Sequence, residues 1–234
     1  MLNYLRKRGF GFLLVTNTSR MSQSQIRDKL TDLGYQIGLD EIFPVSLAAV
    51  EYLSSRFGHA RCFLIGDPSL ETLLTDSGHS VVRHETPVDA VVMGQCMWPD
   101  FGEIDIARRL VNEGAEPISL HRDPTWPDGS VTRIGLGPMV AALELVISQP
   151  VMLIGKPERT FFDAALARTG FERSQTVMIG DSLSSDIAGG INAGLKSLLV
   201  RTGNSISDPI PPGCDGELPS IADLPEWCEA QLDC

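Results

Sequence analysis

The sequence predicts an α/β protein with parallel sheets, and three observations carry that prediction. Short apolar runs of strand length alternate with segments of helical spacing through most of the 234 residues. Polar residues follow three of those runs directly, at Thr16, Lys156 and Asp181. Ligands of open α/β sheets lie outside the carboxyl ends of the parallel strands. The same pattern therefore indicates where a functional site should be sought.

The elements follow from the spacing of apolar residues and from Gly and Pro at their ends. Strands are predicted for the short apolar runs at 9–15, 62–65, 90–93, 117–120, 151–154, 176–179 and 197–200. Helices are predicted where apolar residues recur three and four positions apart, at 22–33, 47–57, 69–77, 104–113, 139–147, 158–169 and 184–193. The segments 123–137 and 204–219 are rich in Pro, Gly or Asp, and we expect them to be irregular.

Composition narrows the function classes. The formal net charge of −11 argues against a general nucleic-acid-binding surface, which needs a basic footprint. The chain contains no apolar run of ~18 residues, and residues 1–8 have no signal-peptide core, so we expect no membrane association and a cytoplasmic location. The five cysteines are scattered without a C-x-x-C pair, which favours buried or idle thiols over disulfides or a zinc site.

The first strand is followed by Thr16, Asn17, Thr18 and Ser19. Hydroxyls, an amide and loop N–H groups just before a helix suit an anion site. The same residue types are ordinary turn and helix-capping residues. Taken alone, this motif favours the capping interpretation.

Two later strands end in charged residues. Lys156 stands between Gly155 and a proline, and its ammonium can clamp a phosphoryl oxygen; the alternative is a solvated surface lysine. Asp181 follows the strand predicted at 176–179 after a single glycine, and Asp186 lies within the next turn. Two carboxylates at this spacing can hold a hard divalent cation, although an aspartate after a strand is often only a helix cap.

In combination, these motifs resemble the haloacid dehalogenase superfamily of phosphohydrolases. The order is Thr16-Asn17, then Gly155-Lys156-Pro157 more than a hundred residues later, then Gly180-Asp181 with Asp186. The resemblance covers essentially the whole chain. It implies a Rossmann-like parallel sheet core with an inserted α/β cap domain.

The resemblance also implies roles for individual residues and a Mg²⁺ cofactor. The implied phosphate-binding residues are Thr16, Asn17, Thr18 and Lys156, of which Thr16 and Lys156 also act in catalysis. Asp181 is the implied metal ligand. Asp186 is implied to support the metal site without binding the metal itself. The implied partner is a small phosphorylated metabolite.

The insertion between the Thr16 and Lys156 motifs has its own strands and helices, and it matches a type II cap in position. The division that this implies is a core at 1–57, a cap at 58–150 and the rest of the core at 151–234. The subclass resembled contains pyridoxal phosphate, p-nitrophenyl and nucleotide monophosphatases. Residues 121–133 correspond to a cap loop that closes over the substrate, or are a solvated connection. Caps of this type often meet in dimers, so the resemblance allows a homodimer through the cap.

The family nucleophile is absent, because no Asp-x-Asp-Gly occurs in the 234 residues. Residues 1–8 resemble the helix that follows the catalytic strand, so the sequence predicts two sheet fragments without their shared central strand. Either the start lies downstream of the true one, which we favour, or the chain is a truncated relic. We expect hydrolysis of phosphate monoesters through an aspartyl-phosphate in the full-length parent.

Two rival functions remain. A non-catalytic phosphoryl-binding protein would keep Thr16 and Lys156 without the nucleophile. A dinucleotide-dependent oxidoreductase is disfavoured, because no G-x-G-x-x-G motif is present.

Overall fold

The computed structural model describes residues 1–97, 100–205 and 207–232. The chain forms two compact units. The first unit comprises Met1–Leu13 and Lys156–Cys234, and the second comprises Leu14–Gly155. The second unit is thus larger than the cap predicted at 58–150. The predicted three-part division remains a proposal.

Twelve strands are formed by the described residues. In chain order they are β1 (Leu14–Thr16), β2 (Ile42–Pro44), β3 (Arg61–Ile65), β4 (Ser80–Val82), β5 (Ala90–Met93), β6 (Glu116–Ser119), β7 (Thr125–Asp128), β8 (Val131–Ile134), β9 (Met152–Leu153), β10 (Val177–Gly180), β11 (Lys196–Val200) and β12 (Gly216–Leu218).

Nine α-helices accompany these strands in the described part of the chain. They are α1 (Leu2–Arg8), α2 (Gln23–Asp32), α3 (Val45–Phe57), α4 (Pro68–Asp76), α5 (Phe101–Asn112), α6 (Gly137–Glu144), α7 (Arg159–Thr169), α8 (Ala188–Asn192) and α9 (Leu224–Leu232). Short 3₁₀ turns lie at Leu39–Glu41, Arg173–Gln175 and Ile221–Asp223, and a π-helical turn lies at Leu183–Ile187.

The second unit is built on a five-stranded parallel sheet with the order β4-β3-β5-β6-β9. Its central strands β3 and β5 are apolar and almost wholly buried, as expected where helices cover both faces of a sheet. Strands β1 and β2 form a separate parallel pair, and β7 and β8 form an antiparallel hairpin. The core of this unit includes Phe63, Val91, Met93, Leu110 and Leu143.

The first unit contains the parallel sheet β10-β11-β12. Its core cluster joins Leu5 of α1 to Leu198 of β11, Leu218 of β12 and Leu224 of α9. The predicted α/β class with parallel sheets is confirmed. The strands ending at Thr16 and Gly180 belong to two different sheets.

Local chemistry explains where the helices begin. Ser22 caps α2 in a capping box, because its Oγ accepts from the backbone N–H of Gln25 and its own N–H donates to Gln25 Oε1 at 2.7 Å. Asp67 caps α4 by accepting from the N–H of Ser69 at 3.1 Å, and Pro68 occupies the first helical position.

Several predicted elements were wrong in extent or type. The strand predicted at 9–15 begins only at Leu14, and the helix predicted at 184–193 is a π-helical turn followed by α8. The segment predicted as irregular at 123–137 contains the hairpin β7–β8, whose two-residue turn includes Gly129 at φ 61°.

Helix α9 and three further strands were not predicted at all. Strands β2 and β4 have only three residues each, too few to show a periodic pattern. Strand β12 lies within the tail predicted as irregular and pairs with β11. Among the residues that the structure covers, no helix combines the length and apolarity needed to span a membrane.

The cysteines lead to a test of the fold. Cys62 is fully buried in β3, and burial raises the pKa of its thiol to about 12. Because the thiolate is the reactive form, we expect Cys62 to resist alkylation by iodoacetamide at pH 8 in the folded protein and to react fully after unfolding. Cys214 is the internal control, since it is only partly buried. Peptide mass spectrometry measures both; equal labelling of Cys62 and Cys214 in the folded state would contradict the buried position of β3.

Candidate functional site

The loop after β1 holds the predicted anion-binding residues of the second unit. Thr16 Oγ1 accepts a hydrogen bond from the backbone N–H of Thr18 at 3.1 Å, so the loop turns back on the end of its own strand. Both residues are half-buried, whereas Asn17 between them and Ser19 after them are buried. A hydroxyl hydrogen on Thr16 can still donate to an anion, because Oγ1 uses a lone pair for the Thr18 bond.

Asn17 is held from the segment after β6. Its Nδ2 donates to Asp123 Oδ2 at 3.4 Å, and the same carboxylate oxygen lies 3.0 Å from Nδ1 of the buried His121. A Cβ at Gly155 would come within 2.5 Å of Asn17 Oδ1 and of the Leu120 carbonyl oxygen. Glycine is therefore required there for the close approach of the chain to the Asn17 side chain.

Lys156 and Asp186 form a buried ion pair in the first unit. Lys156 Nζ donates to Asp186 Oδ1 at 2.6 Å, and the two side chains are 11% and 7% exposed. Asp186 Oδ2 also accepts from the Ser182 backbone N–H at 3.2 Å. The alternative of a solvated surface lysine is thus wrong, because this ammonium is almost fully removed from water and neutralised by a carboxylate.

Asp181 follows β10 immediately and is fixed through one carboxylate oxygen. Its Oδ2 accepts from the backbone N–H and from Nδ2 of Asn204, at 2.8 and 2.7 Å. A Cβ at Gly203 would lie 2.0 Å from the same oxygen, so glycine leaves room for the carboxylate. Gly180 plays the same part for Asp186, whose Oδ2 would lie 2.3 Å from a Cβ at position 180.

The donor set around Asp181 fits a hard divalent cation through a single carboxylate. The two Asn204 hydrogen bonds engage Oδ2 and orient the group, and Oδ1 accepts none from the described residues. Mg²⁺ is commonly held by one or two carboxylates, with water and substrate oxygens completing the shell. Within the described ranges no three His, Cys, Asp or Glu side chains cluster as a metal site.

The structure thus brings the predicted residues together in two sets. Thr16, Asn17 and Thr18 share one loop of the second unit. Lys156, Asp181 and Asp186 lie close together in the first unit, with Asp186 contacting both the lysine and the segment after Asp181. The roles of these residues remain proposals.

Sequence reasoning missed two residues that position others. Asn204 lies 23 residues after Asp181, and Asp123 lies 106 residues after Asn17. A strand-end position could have pointed to Asp123, which follows shortly after β6. Asn204 comes shortly after β11, the strand beside β10, and the same reasoning applies to it.

An aspartate fixed at a strand end, a buried lysine–carboxylate pair and a threonine loop are compatible with an α/β phosphohydrolase. Comparison with known proteins makes this specific: residues 1–80 match the profile of haloacid dehalogenase-like hydrolases, and residues 153–216 match a second profile, HAD-hydrolase-like. The acid sugar phosphatase of Staphylococcus epidermidis is 32% identical over 209 residues, which cover 89% of this chain and 80% of that protein. The chain therefore belongs to the haloacid dehalogenase-like hydrolase family.

Solved structures agree with this assignment. A 4-nitrophenylphosphatase from Thermotoga maritima is 27% identical with a TM-score of 0.87, over 96% of this chain and 87% of that one. The glycerol phosphate phosphatase of Mycobacterium tuberculosis, solved in complex with calcium, is 29% identical with a TM-score of 0.79. That match covers 87% of this chain and 61% of the other. Both of these structural relatives are phosphatases by name, in agreement with the family assignment.

Proposed function

We propose that the protein hydrolyses phosphate monoesters of small metabolites with Mg²⁺, through an aspartyl-phosphate, once a strand ending in Asp-x-Asp-Gly is present. The observation that carries the proposal is the arrangement after β10. A fixed carboxylate at Asp181 and the buried Lys156–Asp186 pair stand at one strand end, in a chain whose curated relatives are named phosphatases.

Each residue has a physical task in this reaction. Thr16 donates its hydroxyl hydrogen to a phosphoryl oxygen and, with the N–H groups of its loop, orients the phosphoryl group. Lys156 balances negative charge that develops during transfer, while Asp186 holds the ammonium in place. Asp181 would hold the cation, and Asn204 keeps its carboxylate in one orientation. When bound, Mg²⁺ neutralises phosphoryl oxygens as a Lewis acid.

A second candidate is a non-catalytic protein that binds phosphorylated metabolites. The absence of Asp-x-Asp-Gly from the 234 residues favours it for this chain by itself. Binding would use the same Thr16 loop and Lys156 without covalent transfer. The two candidates differ in turnover alone.

A phosphate-release assay distinguishes the phosphatase from the non-catalytic binding protein. We compare the 234-residue chain with an extended protein to which an N-terminal strand ending in Asp-x-Asp-Gly has been added. The extended protein is expected to release phosphate from sugar phosphates, nucleotides, pyridoxal phosphate or phosphoglycolate in Mg²⁺ and to stop in EDTA, whereas the shorter chain releases none. Failure of the extended protein on every ester would support the binding protein.

The names of the relatives decide which phosphate esters are assayed first. Sugar phosphates come first, because the relative from Staphylococcus epidermidis is named an acid sugar phosphatase. The homodimer through the cap and the cytoplasmic location are both proposals at this stage. Size-exclusion chromatography with light scattering of the extended protein tests whether it forms a homodimer.

A further inference from the structure

The side chain of Asn17 has both of its polar ends turned toward the second unit. Its Nδ2 donates to Asp123 Oδ2 at 3.4 Å. Its Oδ1 lies against the backbone at Gly155, where an added Cβ would come within 2.5 Å of it. Asn17 is only 8% exposed, whereas Thr16 and Thr18 on either side are half-buried. Of the three residues on this loop that are predicted to bind phosphate, Asn17 is thus the most enclosed.

Charge also argues against a contact between this amide and a phosphoryl group. An anionic oxygen bound to Asn17 Nδ2 would come close to the Asp123 carboxylate, which the same nitrogen contacts, and like charges repel. The other end of the amide, Oδ1, is an acceptor and offers nothing to an anionic oxygen. The loop can instead present the Thr16 hydroxyl and its own backbone N–H groups. The side chain of Asn17 therefore suits a different task.

The carboxylate that Asn17 contacts is held by a buried histidine. Nδ1 of His121, which is 4% exposed, lies 3.0 Å from Asp123 Oδ2 and 3.3 Å from the Asp123 backbone nitrogen. A ring nitrogen donates or accepts according to its tautomer, so His121 contacts the side chain or the backbone of Asp123 in either neutral form. The His121 carbonyl accepts in turn from Oγ of the fully buried Ser119 at 2.8 Å. The position of the Asp123 carboxylate beside Asn17 is thus fixed from the core of the unit.

The backbone of Asp123 is fixed at the base of the β7–β8 hairpin. Its carbonyl oxygen accepts from the Gly137 N–H at 3.0 Å, and the next carbonyl, of Pro124, accepts from the Gly135 N–H at 2.7 Å. A Cβ at Gly135 would lie 2.1 Å from the Asp123 carbonyl oxygen, so glycine is required for this close approach. The contact between Asn17 and Asp123 therefore ties the loop after β1 to a segment whose side chain and backbone are both held.

We propose that Asn17 is a positioning residue and not a phosphate ligand. Through Asp123, itself held by His121, it keeps the loop after β1 in the shape that presents the Thr16 hydroxyl and the loop N–H groups to a phosphoryl group. A loop that is ordered before the anion arrives spends less binding free energy on becoming ordered. The identity of the anion rests on the proposed function.

Amide hydrogen exchange tests the positioning role without ligand or turnover. The Thr18 N–H, which donates to Thr16 Oγ1, reports the shape of the loop. Asn17→Ala and Asp123→Ala should each speed its exchange about fivefold to tenfold, the usual effect of one lost hydrogen bond, after correction for neighbouring side chains. The double variant should exchange no faster, because both substitutions remove the same contact. Asp76→Ala is the control, since it removes a carboxylate from an exposed residue at the end of α4. An unchanged rate in Asp123→Ala, or effects that multiply in the double variant, would overturn the proposal.

Exchanging the two side chains separates positioning from a direct phosphate contact. Asn17→Asp alone sets two carboxylates against each other, so it should loosen the loop and weaken the binding of inorganic phosphate, measured by NMR titration, about tenfold or more. Adding Asp123→Asn restores a donor and an acceptor, and neutral His121 can accept from the new amide through Nδ1. Thr18 exchange and phosphate affinity should then both return to within about threefold of the original chain. Recovery of exchange without affinity would show that the Asn17 amide contacts phosphate itself, and recovery of neither would show that its contact with Asp123 does not shape the loop; either result overturns the proposal.

Urea denaturation of the same samples separates positioning from a purely structural role. A lowered midpoint in Asp123→Ala, with Thr18 exchange and phosphate affinity unchanged, would show that the contact stabilises the unit without shaping the loop and would overturn the proposal. The proposed function fails separately. A chain that binds no inorganic phosphate would count against the Thr16 loop as an anion site, whereas the exchange of Thr18 would still decide whether Asn17 positions that loop.

Discussion

In the extended protein, Asp181→Asn is expected to lower kcat/KM for a phosphate monoester by about a hundredfold or more. The substitution keeps the shape of the side chain and an oxygen that can accept from Asn204, so the local fold should persist. It removes the negative charge that a hard cation requires. We therefore expect the Mg²⁺ concentration for half-maximal rate to rise as well.

Steady-state rates over a Mg²⁺ titration provide the measurement. Asp208→Asn is a matched control in the same unit, because it removes one acidic charge from an exposed residue and should leave the rate and the Mg²⁺ requirement unchanged. Near-normal activity of Asp181→Asn with an unchanged Mg²⁺ requirement would show that Asp181 does not hold the metal.

The position of Asp181 could be predicted because an apolar strand precedes it, and carboxyl ends of parallel strands collect functional residues. Its partner Asn204 could not be predicted in the same way. That contact depends on the pairing of β10 with β11, which sets the loop after one strand beside the loop after the other. Pairing partners are set by tertiary packing, and neither strand shows in its own residues which neighbour it has.

The hairpin at β7–β8 is a different case, because its signal was present in the sequence. Gly129-Ser130, the two residues between the paired Asp128 and Val131, is a dipeptide typical of tight hairpin turns, and β-branched and aromatic residues lie on both sides of it. The abundance of Pro and Asp favoured an irregular segment instead. Arg20 lies over the ring of Trp126 on β7, so the misassigned segment also concealed this cation–π contact.

Strands β2 and β12 could not be predicted from the periodicity of apolar residues. Each has three residues, and β2 ends in a proline that a sequence pattern counts against a strand. Both lie at the edge of their sheets, where a proline or a short length is tolerated. Their existence follows from packing beside β1 and β11, which a local window of residues does not contain.

We expect Lys156 to contribute to both stability and catalysis, and the two contributions can be measured separately. Lys156→Met leaves the Asp186 carboxylate, 7% exposed, without its counter-charge. Breaking a buried ion pair in this way typically costs about 3–5 kcal/mol of unfolding free energy. The same substitution removes the cation that balances the phosphoryl group, so kcat in the extended protein should fall about a hundredfold or more, with a smaller change in KM.

The double variant Lys156→Met with Asp186→Asn distinguishes the two effects. It removes both charges together, and the amide oxygen introduced by Asp186→Asn can still accept from the Ser182 N–H. Replacing both members of a buried pair by neutral groups is often close to neutral for stability, so urea denaturation should show most of the lost free energy restored. Turnover should stay as low as in Lys156→Met, because the ammonium is still missing. Recovery of kcat in the double variant would show that Lys156 serves only to neutralise Asp186, and an effect confined to KM would make it a binding residue without a part in the transition state.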